Sequence, residues 1–129
     1  MSVTYPDAAG TVSAFVEQAR RHNDYAVVAV AAVGEPRPDG TWAWIRIALG
    51  AVADRALLAQ EANELLRGAR LDDHDTVAAA AAACAAIVDP PTDARASAEY
   101  RRHLLSIYVE RALAMLEARR GARQAGDAR

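Results

Sequence analysis

The apolar and polar positions in the first half of the chain predict a pair of strands. Residues 25–33 are a nearly unbroken run of Ala and Val without charge, which is typical of a buried strand. Residues 34–40 contain two glycines and two prolines and indicate a loop. Residues 41–53 then alternate, with two tryptophans and an arginine on one side and Ala and Ile on the other. The pattern therefore predicts two antiparallel strands joined by this loop.

Two further segments flank the predicted strand pair along the chain. Residues 11–22 follow a start signal at Gly10 and Thr11 and divide into two faces, so we predict a short first helix there. Residues 55–58 predict a short third strand. This part of the chain is therefore predicted to contain one short helix and three strands.

The second half of the chain has a helical pattern. Residues 60–67 predict one or two helical turns, and residues 73–88 predict a long helix that starts with acidic residues and ends before two prolines. Apolar residues spaced by three or four predict a last helix over residues 97–119. We expect one domain over residues 1–121 and a flexible C-terminal tail over residues 122–129.

The composition of the chain excludes several kinds of functional site. All 15 basic residues are Arg, so the chain offers no lysine for a Schiff base or a P-loop, and the net charge of -2 argues against a nucleic-acid partner. Cys84 is the only cysteine, and we expect it to be a small buried residue. The three histidines lack metal-ligand spacing, so no metal site is expected. No apolar run approaches the length of a membrane span, which predicts a cytoplasmic protein without a membrane partner.

Trp42 and Trp44 contribute much of the large aromatic surface in a chain that is only 5% aromatic, and they are predicted to share one strand face with Arg46. Three interpretations of this face stay open. Helices cover it, or it is a subunit interface, or it forms an apolar pocket with Arg46 as the polar anchor. Leu57 and Leu58 would border the interface or the pocket.

Three strings resemble a known family. They are RRHNDYA at residues 20–26, IRIALGAVA at residues 45–53 and SAEYRRHL at residues 97–104. In this order and spacing they resemble the C-terminal domain of the flavin-binding subunit of carbon monoxide dehydrogenase, xanthine dehydrogenase and related molybdenum hydroxylases. The resemblance spans nearly the whole chain. It implies an α+β fold with a three-stranded antiparallel sheet.

The chain also departs from that family. The resemblance implies that flavin is held mainly by preceding domains, whereas this chain has no GxGxxG or other glycine cluster and starts close to the first matching position. We therefore expect a stand-alone chain without flavin or any other cofactor. After Val52 the family carries a Pro-rich loop that ends in an Arg, and Leu58 stands at that place here. This replacement removes a polar contact and adds apolar surface.

Two functions follow as hypotheses. The main hypothesis is a stand-alone, cofactor-free protein that binds an apolar small molecule and catalyses its cyclisation or isomerisation by orientation and a few dipoles. The alternative is a non-catalytic accessory subunit that docks on a molybdenum-hydroxylase-type oxidoreductase, or on a second copy of itself. A sheet with helices on one side leaves a face to be covered, so we also expect a homodimer.

The main hypothesis places a pocket between the strand face of the two tryptophans and the last helix. Its predicted substrate-binding residues are Trp42, Trp44, Arg46, Leu58 and Tyr108. In this arrangement Arg46 orients a carbonyl or carboxylate of the ligand. Alternatively, Arg46 is buried and pairs with a structural carboxylate such as Asp24.

The predicted catalytic residues are Asp24, Glu99 and Tyr100. Asp24 or Glu99 would transfer a proton, and Tyr100 or Tyr108 would donate a hydrogen bond from the last helix. Structural roles stay open beside these. Asp24 could cap backbone amides, Glu99 could form a surface ion pair with Arg102, and Tyr100 is expected to point into the core.

Overall fold

Four antiparallel strands form one sheet in the order of the sequence. The structure is a computed structural model that describes residues 10–19 and 26–127, with side chains up to residue 122. The strands are β1 (Val12–Ala19), β2 (Ala26–Pro36), β3 (Trp42–Gly50) and the two-residue β4 (Leu57–Leu58). The α+β class is therefore confirmed, and the sheet has one strand more than the sequence predicts.

The additional strand is β1, where the sequence predicts a helix over residues 11–22. Its side chains are alternately buried and exposed from Val12 to Phe15, as in a strand with one covered face. Backbone pairing runs from Val12 opposite Gly34 to Ala19 opposite Ala26. The helix prediction is wrong because a short apolar segment fits both periodicities, and the partner strand β2 decides between them. Residues 20–22 lie outside the described residues.

Three helices follow the sheet: α1 (Gln60–Leu66), α2 (His74–Ile87) and α3 (Ala98–Asp127). α3 packs against β1 and β2, α1 packs against β3, and α2 packs against the other two helices. The core lies between this helical layer and one face of the sheet. None of the described helices has the length and the apolar composition that crossing a membrane requires.

The start of α2 confirms the helix predicted from the acidic residues near position 73. The Asp73 carboxylate caps the helix by accepting hydrogen bonds from the backbone N–H groups of Asp75 and Thr76 and from the Thr76 hydroxyl. These bonds, the Thr76 hydroxyl first, lower the pKa of Asp73.

The last helix is longer than its pattern indicates. α3 continues as a helix to Asp127, beyond the predicted end near residue 119. The division into a domain over residues 1–121 and a flexible tail stays a prediction.

A β-bulge near the start of β3 changes which residues face the helices. Glu35 lies opposite Trp44 and Pro36 lies opposite Trp42, so Ala43 is an extra residue without a partner in this step. Proline donates no backbone hydrogen bond, which suits it to such an irregular position. The bulge reverses the alternation, and Trp42 therefore shares the buried face with Ile45 and not the face of Trp44.

Gly34 provides the space for the Trp42 ring. A Cβ atom at Gly34 would lie 2.8 Å from a carbon of that ring and 2.9 Å from the Trp44 carbonyl oxygen. We expect Gly34→Ala to lower the free energy of unfolding by about 1–3 kcal/mol, because backbone and a buried ring must shift. Urea denaturation measures this difference.

Gly50→Ala is the matched control in the same sheet. Its Cβ would meet the Ala29 methyl at 3.4 Å, an ordinary contact, and alanine restricts the unfolded chain more than glycine does. Equal losses of stability for the two variants would contradict the packing argument.

Candidate functional site

The face of the sheet that points away from the helices is not covered by any other described segment of the chain. We call it the open sheet face. Strand register arranges its side chains in rows, and the longest row joins Phe15, Ala31, Ala48 and Leu58 across all four strands. Phe15 is 56% exposed and Leu58 is 51% exposed, although both are large and apolar.

A shallow cavity of about 470 Å³ lies on the open sheet face. Its floor includes Ala31 and Ala48, whose methyl groups keep it flat, and its lining also includes Phe15 and Leu58. Arg46 and Arg119 contribute the cationic groups of the lining. The cavity is therefore an apolar groove with positive charge beside it, which we call the groove.

Trp42 and Trp44 lie on opposite faces of the sheet, so the shared face predicted from the sequence is wrong. Trp42 is fully buried under the helices and donates its indole N–H to a Glu117 carboxylate oxygen at 2.9 Å. Trp44 is half-buried on the open sheet face and donates its indole N–H to Glu35 at 2.9 Å. The bulge at Ala43 is the physical reason, since it shifts the alternation by one residue.

Arg46 is exposed, so its predicted burial in the strand is wrong. Its guanidinium lies over the Trp44 ring, 5.2 Å from the ring centroid. The proposed carboxylate partner, Asp24, lies outside the described residues. Arg46 can therefore keep its charge in water without a buried partner.

The predicted site residues of α3 do not meet the tryptophan face. Glu99 and Tyr100 are exposed in the first turn of the helix, and the 48% exposure of Tyr100 contradicts its predicted place in the core. Tyr108 is buried on the helical side, where its hydroxyl donates to the Gln18 side-chain oxygen at 2.5 Å.

The predicted pocket is wrong because α3 packs on the opposite face of the sheet from Trp44 and Arg46. Of the predicted site residues, Arg46 and Leu58 line the groove together. Individual roles for the others stay predictions.

Arg101 is the important residue that sequence reasoning missed. Its side chain is 3% exposed and donates to the backbone carbonyls of Val27, at 2.7 Å, and Ala51, at 3.1 Å. It also binds both carboxylate oxygens of Asp93, at 2.9 and 3.0 Å. The sequence does contain an indication that Arg101 is buried, because it lies four residues before Leu105 and so falls on the buried stripe of α3.

Cys84 has no feature of a reactive thiol. It is buried in α2, as predicted, and this burial raises its pKa to about 12. Within the part of the chain that the structure describes, no three His, Cys, Asp or Glu side chains are grouped so that they could hold a metal ion.

The described residues do not fit the pyrophosphate of a flavin nucleotide. Such a group needs clustered glycines and a helix N-terminus that accepts an anion. Here α2 begins beside Asp72, Asp73 and Asp75, and α3 carries Glu99 in its first turn. Glycines with positive φ are isolated in separate turns of the described chain. The described residues therefore provide no cradle for the pyrophosphate of a flavin.

These observations define an α+β domain with one face of its sheet packed by helices and one apolar face left open. Comparison with known proteins identifies it further. The chain belongs to the CO dehydrogenase flavoprotein C-terminal domain family, whose model matches residues 13–116. The resemblance drawn from the three sequence strings is confirmed.

Individual relatives agree with this family. The alpha subunit of the 6-hydroxypseudooxynicotine dehydrogenase complex of Paenarthrobacter nicotinovorans is 36% identical over 105 residues, which cover 81% of this chain and 35% of that subunit. A carbon monoxide dehydrogenase chain from Hydrogenophaga pseudoflava matches with a TM-score of 0.81 and 38% identity, covering 88% of this chain and 39% of that one. Quinoline 2-oxidoreductase from Pseudomonas putida 86 matches with a TM-score of 0.77 and 34% identity. The match covers 84% of this chain and 37% of that one. The chain thus spans little more than a third of each relative.

The main functional hypothesis, a cofactor-free cyclase or isomerase, is wrong. The family and the relatives are parts of oxidoreductases, and the alternative of docking on an oxidoreductase agrees better with them. The hypothesis took the missing flavin-holding domains and the apolar Leu58 as loss of the family's docking role. The matching family and relatives do not support that loss.

Proposed function

We propose that this chain is a non-catalytic docking domain of a flavoprotein subunit in a molybdenum-hydroxylase-type oxidoreductase, working in the cytoplasm. The observation that carries the proposal is the open sheet face, on which Phe15 and Leu58 expose apolar surface in one row. An exposed apolar patch of this kind usually marks an interface. The flavin-binding part of a related flavoprotein is the partner that the family suggests.

The packing of the fold supports an interface role over a catalytic one. The buried polar side chain that the structure describes, Arg101, binds backbone carbonyls and Asp93, which ties loops together. In the groove the polar lining is two arginines and a serine, without a described acid or base paired to a nucleophile. The groove therefore offers binding surface and charge.

The test uses the two tryptophans as internal reporters. The full chain is labelled with 5-fluorotryptophan and mixed with the Hydrogenophaga pseudoflava flavoprotein from which the matching segment has been removed. We expect co-elution on gel filtration and a shifted fluorine resonance for Trp44, because the partner covers the open sheet face. Trp42 is buried on the helical side and should keep its resonance. Trp44→Phe assigns the two signals.

A fusion guards against a truncated flavoprotein that does not fold. In it, the full chain replaces the matching segment of the same flavoprotein, and the Trp44 resonance is compared with that of the chain alone. Separate elution together with an unshifted Trp44 in the fusion would refute the docking function.

Two other occupants of the face remain as competing outcomes. A homodimer would give twice the monomer mass by light scattering, and an apolar small molecule would shift Trp44 in the chain as purified. Either result, without binding to the flavoprotein, would count against the proposal.

A further inference from the structure

The groove has the dimensions of a helix-binding site. Phe15 on β1 and Leu58 on β4 stand at the two ends of one row, and Ala31 and Ala48 lie between them. Three strand spacings separate the ends, about 14 Å between backbones. An α-helix with its side chains is roughly 10–12 Å across. A helix lying along the strands would therefore contact the two alanines with its apolar stripe and the two larger residues at its sides.

Charge distinguishes the two ends of the groove. Arg46 lies one row from Phe15, in the row of Ser13, and Arg119 donates to the Ser13 carbonyl oxygen at 2.6 Å. On the other side of the Phe15 row is Glu17. The two arginines thus lie at one end of the groove, with Glu35 one row beyond them, and Glu17 lies at the other end.

Neither arginine of the groove has a carboxylate partner among the described residues. Arg46 contacts the Trp44 ring, and Arg119 binds a backbone carbonyl. Glu35 lies in the row beyond Arg46, where it accepts the Trp44 indole hydrogen bond. Two cations beside an apolar surface favour an anionic group on whatever covers that surface.

We propose that the groove holds an amphipathic helix of the partner protein, with its apolar stripe on Ala31 and Ala48 and carboxylate side chains paired with Arg46 and Arg119. This inference rests on the proposed docking function and names the chemistry that the docking surface recognises. A second copy of the chain is a poorer occupant, since its described helices use their apolar sides in their own core.

The experiment measures the affinity of variant chains for the same truncated flavoprotein by calorimetry. We expect Arg46→Met and Arg119→Met each to weaken binding on the order of tenfold or more, because each leaves a desolvated carboxylate unpaired. Leu58→Ala should weaken it through lost apolar contact. Added salt should weaken the wild type more than the double arginine variant.

Matched controls sit elsewhere on the fold. Arg111 is an exposed arginine on α3 that lies 4.8 Å from the Tyr108 ring centroid, as Arg46 lies over Trp44, and Leu65 is a 43% exposed leucine on α1. Arg111→Met and Leu65→Ala should bind like the wild type. Circular dichroism melting confirms that each variant is folded, and Arg46→Gln replaces Arg46→Met if the latter is not.

The outcomes separate this inference from the function on which it rests. Binding that Arg46→Met, Arg119→Met and salt leave unchanged would overturn the helix and carboxylate inference while the docking function stands. Equal weakening by the control variants would also overturn it. Absence of binding by the wild type, in the mixture and in the fusion, would refute the docking function itself.

Discussion

Trp42→Ala is expected to lower the free energy of unfolding by about 3–5 kcal/mol, whereas Trp44→Ala should change it by less than about 1 kcal/mol. The Trp42 ring is fully buried beneath the helices, over Gly34, and its indole is bonded to Glu117 of α3. Alanine there leaves a cavity and removes a link between the sheet and α3. Trp44 lies half-buried on the open sheet face, where water replaces its contacts.

Equilibrium denaturation of the two variants, followed by circular dichroism, measures both differences. Trp42→Phe separates packing from hydrogen bonding, because it keeps an aromatic ring and loses the donor to Glu117; it should cost less than Trp42→Ala. If both tryptophans lay on one face of the sheet, the two losses of stability would be similar, so a loss for Trp44→Ala as large as that for Trp42→Ala would contradict the bulge.

Arg101→Met is expected to lower the free energy of unfolding by about 3 kcal/mol, while Arg46→Met should stay within about 0.5 kcal/mol of the wild type. Arg101 is buried and connects β2, the segment after β3 and Asp93. Methionine is similar in length but cannot donate, so the buried Val27 carbonyl loses this donor and the Asp93 carboxylate loses its guanidinium partner, keeping its bonds from the backbone N–H groups of Arg95 and Ala96. Arg46 is exposed, and methionine there removes only its contact with Trp44.

The pH dependence of stability gives this prediction a second measurement. Backbone N–H groups of Arg95 and Ala96, together with the Arg101 guanidinium, lower the pKa of Asp93. A carboxyl whose pKa is lowered on folding stabilises the protein above its ordinary pKa of 3.8, and this contribution is lost as the pH falls through the lowered value. The acid loss should be smaller in Arg101→Met than in the wild type. An equal acid loss would show that Arg101 does not act on Asp93.

The local sequence pattern was sufficient to predict most of the helices and strands. The uncharged Ala and Val run of β2 favours a strand because it is rich in β-branched valine and is followed by loop residues. The aspartates before α2 and the prolines after it define that helix through capping and through the missing proline donor. The same local pattern misassigned β1, because eight residues with apolar positions at mixed spacing fit a strand or a helix. Only the free edge of β2 selects the strand.

The candidate site depended more on tertiary structure. The sequence marked Arg46 and Leu58, and both line the groove, but it could not tell that Phe15 joins them, since Phe15 was assigned to a helix. The sequence also could not tell which of Arg46 and Arg101 is buried. Both are arginines among apolar residues, and which of them is buried depends on the loops and strands that come to surround each one.

The sequence by itself determined the strand pair β2 and β3 and the three helices, because capping residues, turn residues and apolar periodicity act over a few neighbouring positions. It also indicated the family and, with it, the α+β class, through three strings that resemble that family. Tertiary structure decided that residues 12–19 form a strand, that a bulge at Ala43 sends Trp42 and Trp44 to opposite faces, and that the helices cover one side of the sheet only. These features depend on strand register and on packing between segments far apart in the chain. Local pattern carries no record of either, because each segment can satisfy its own periodicity in more than one arrangement.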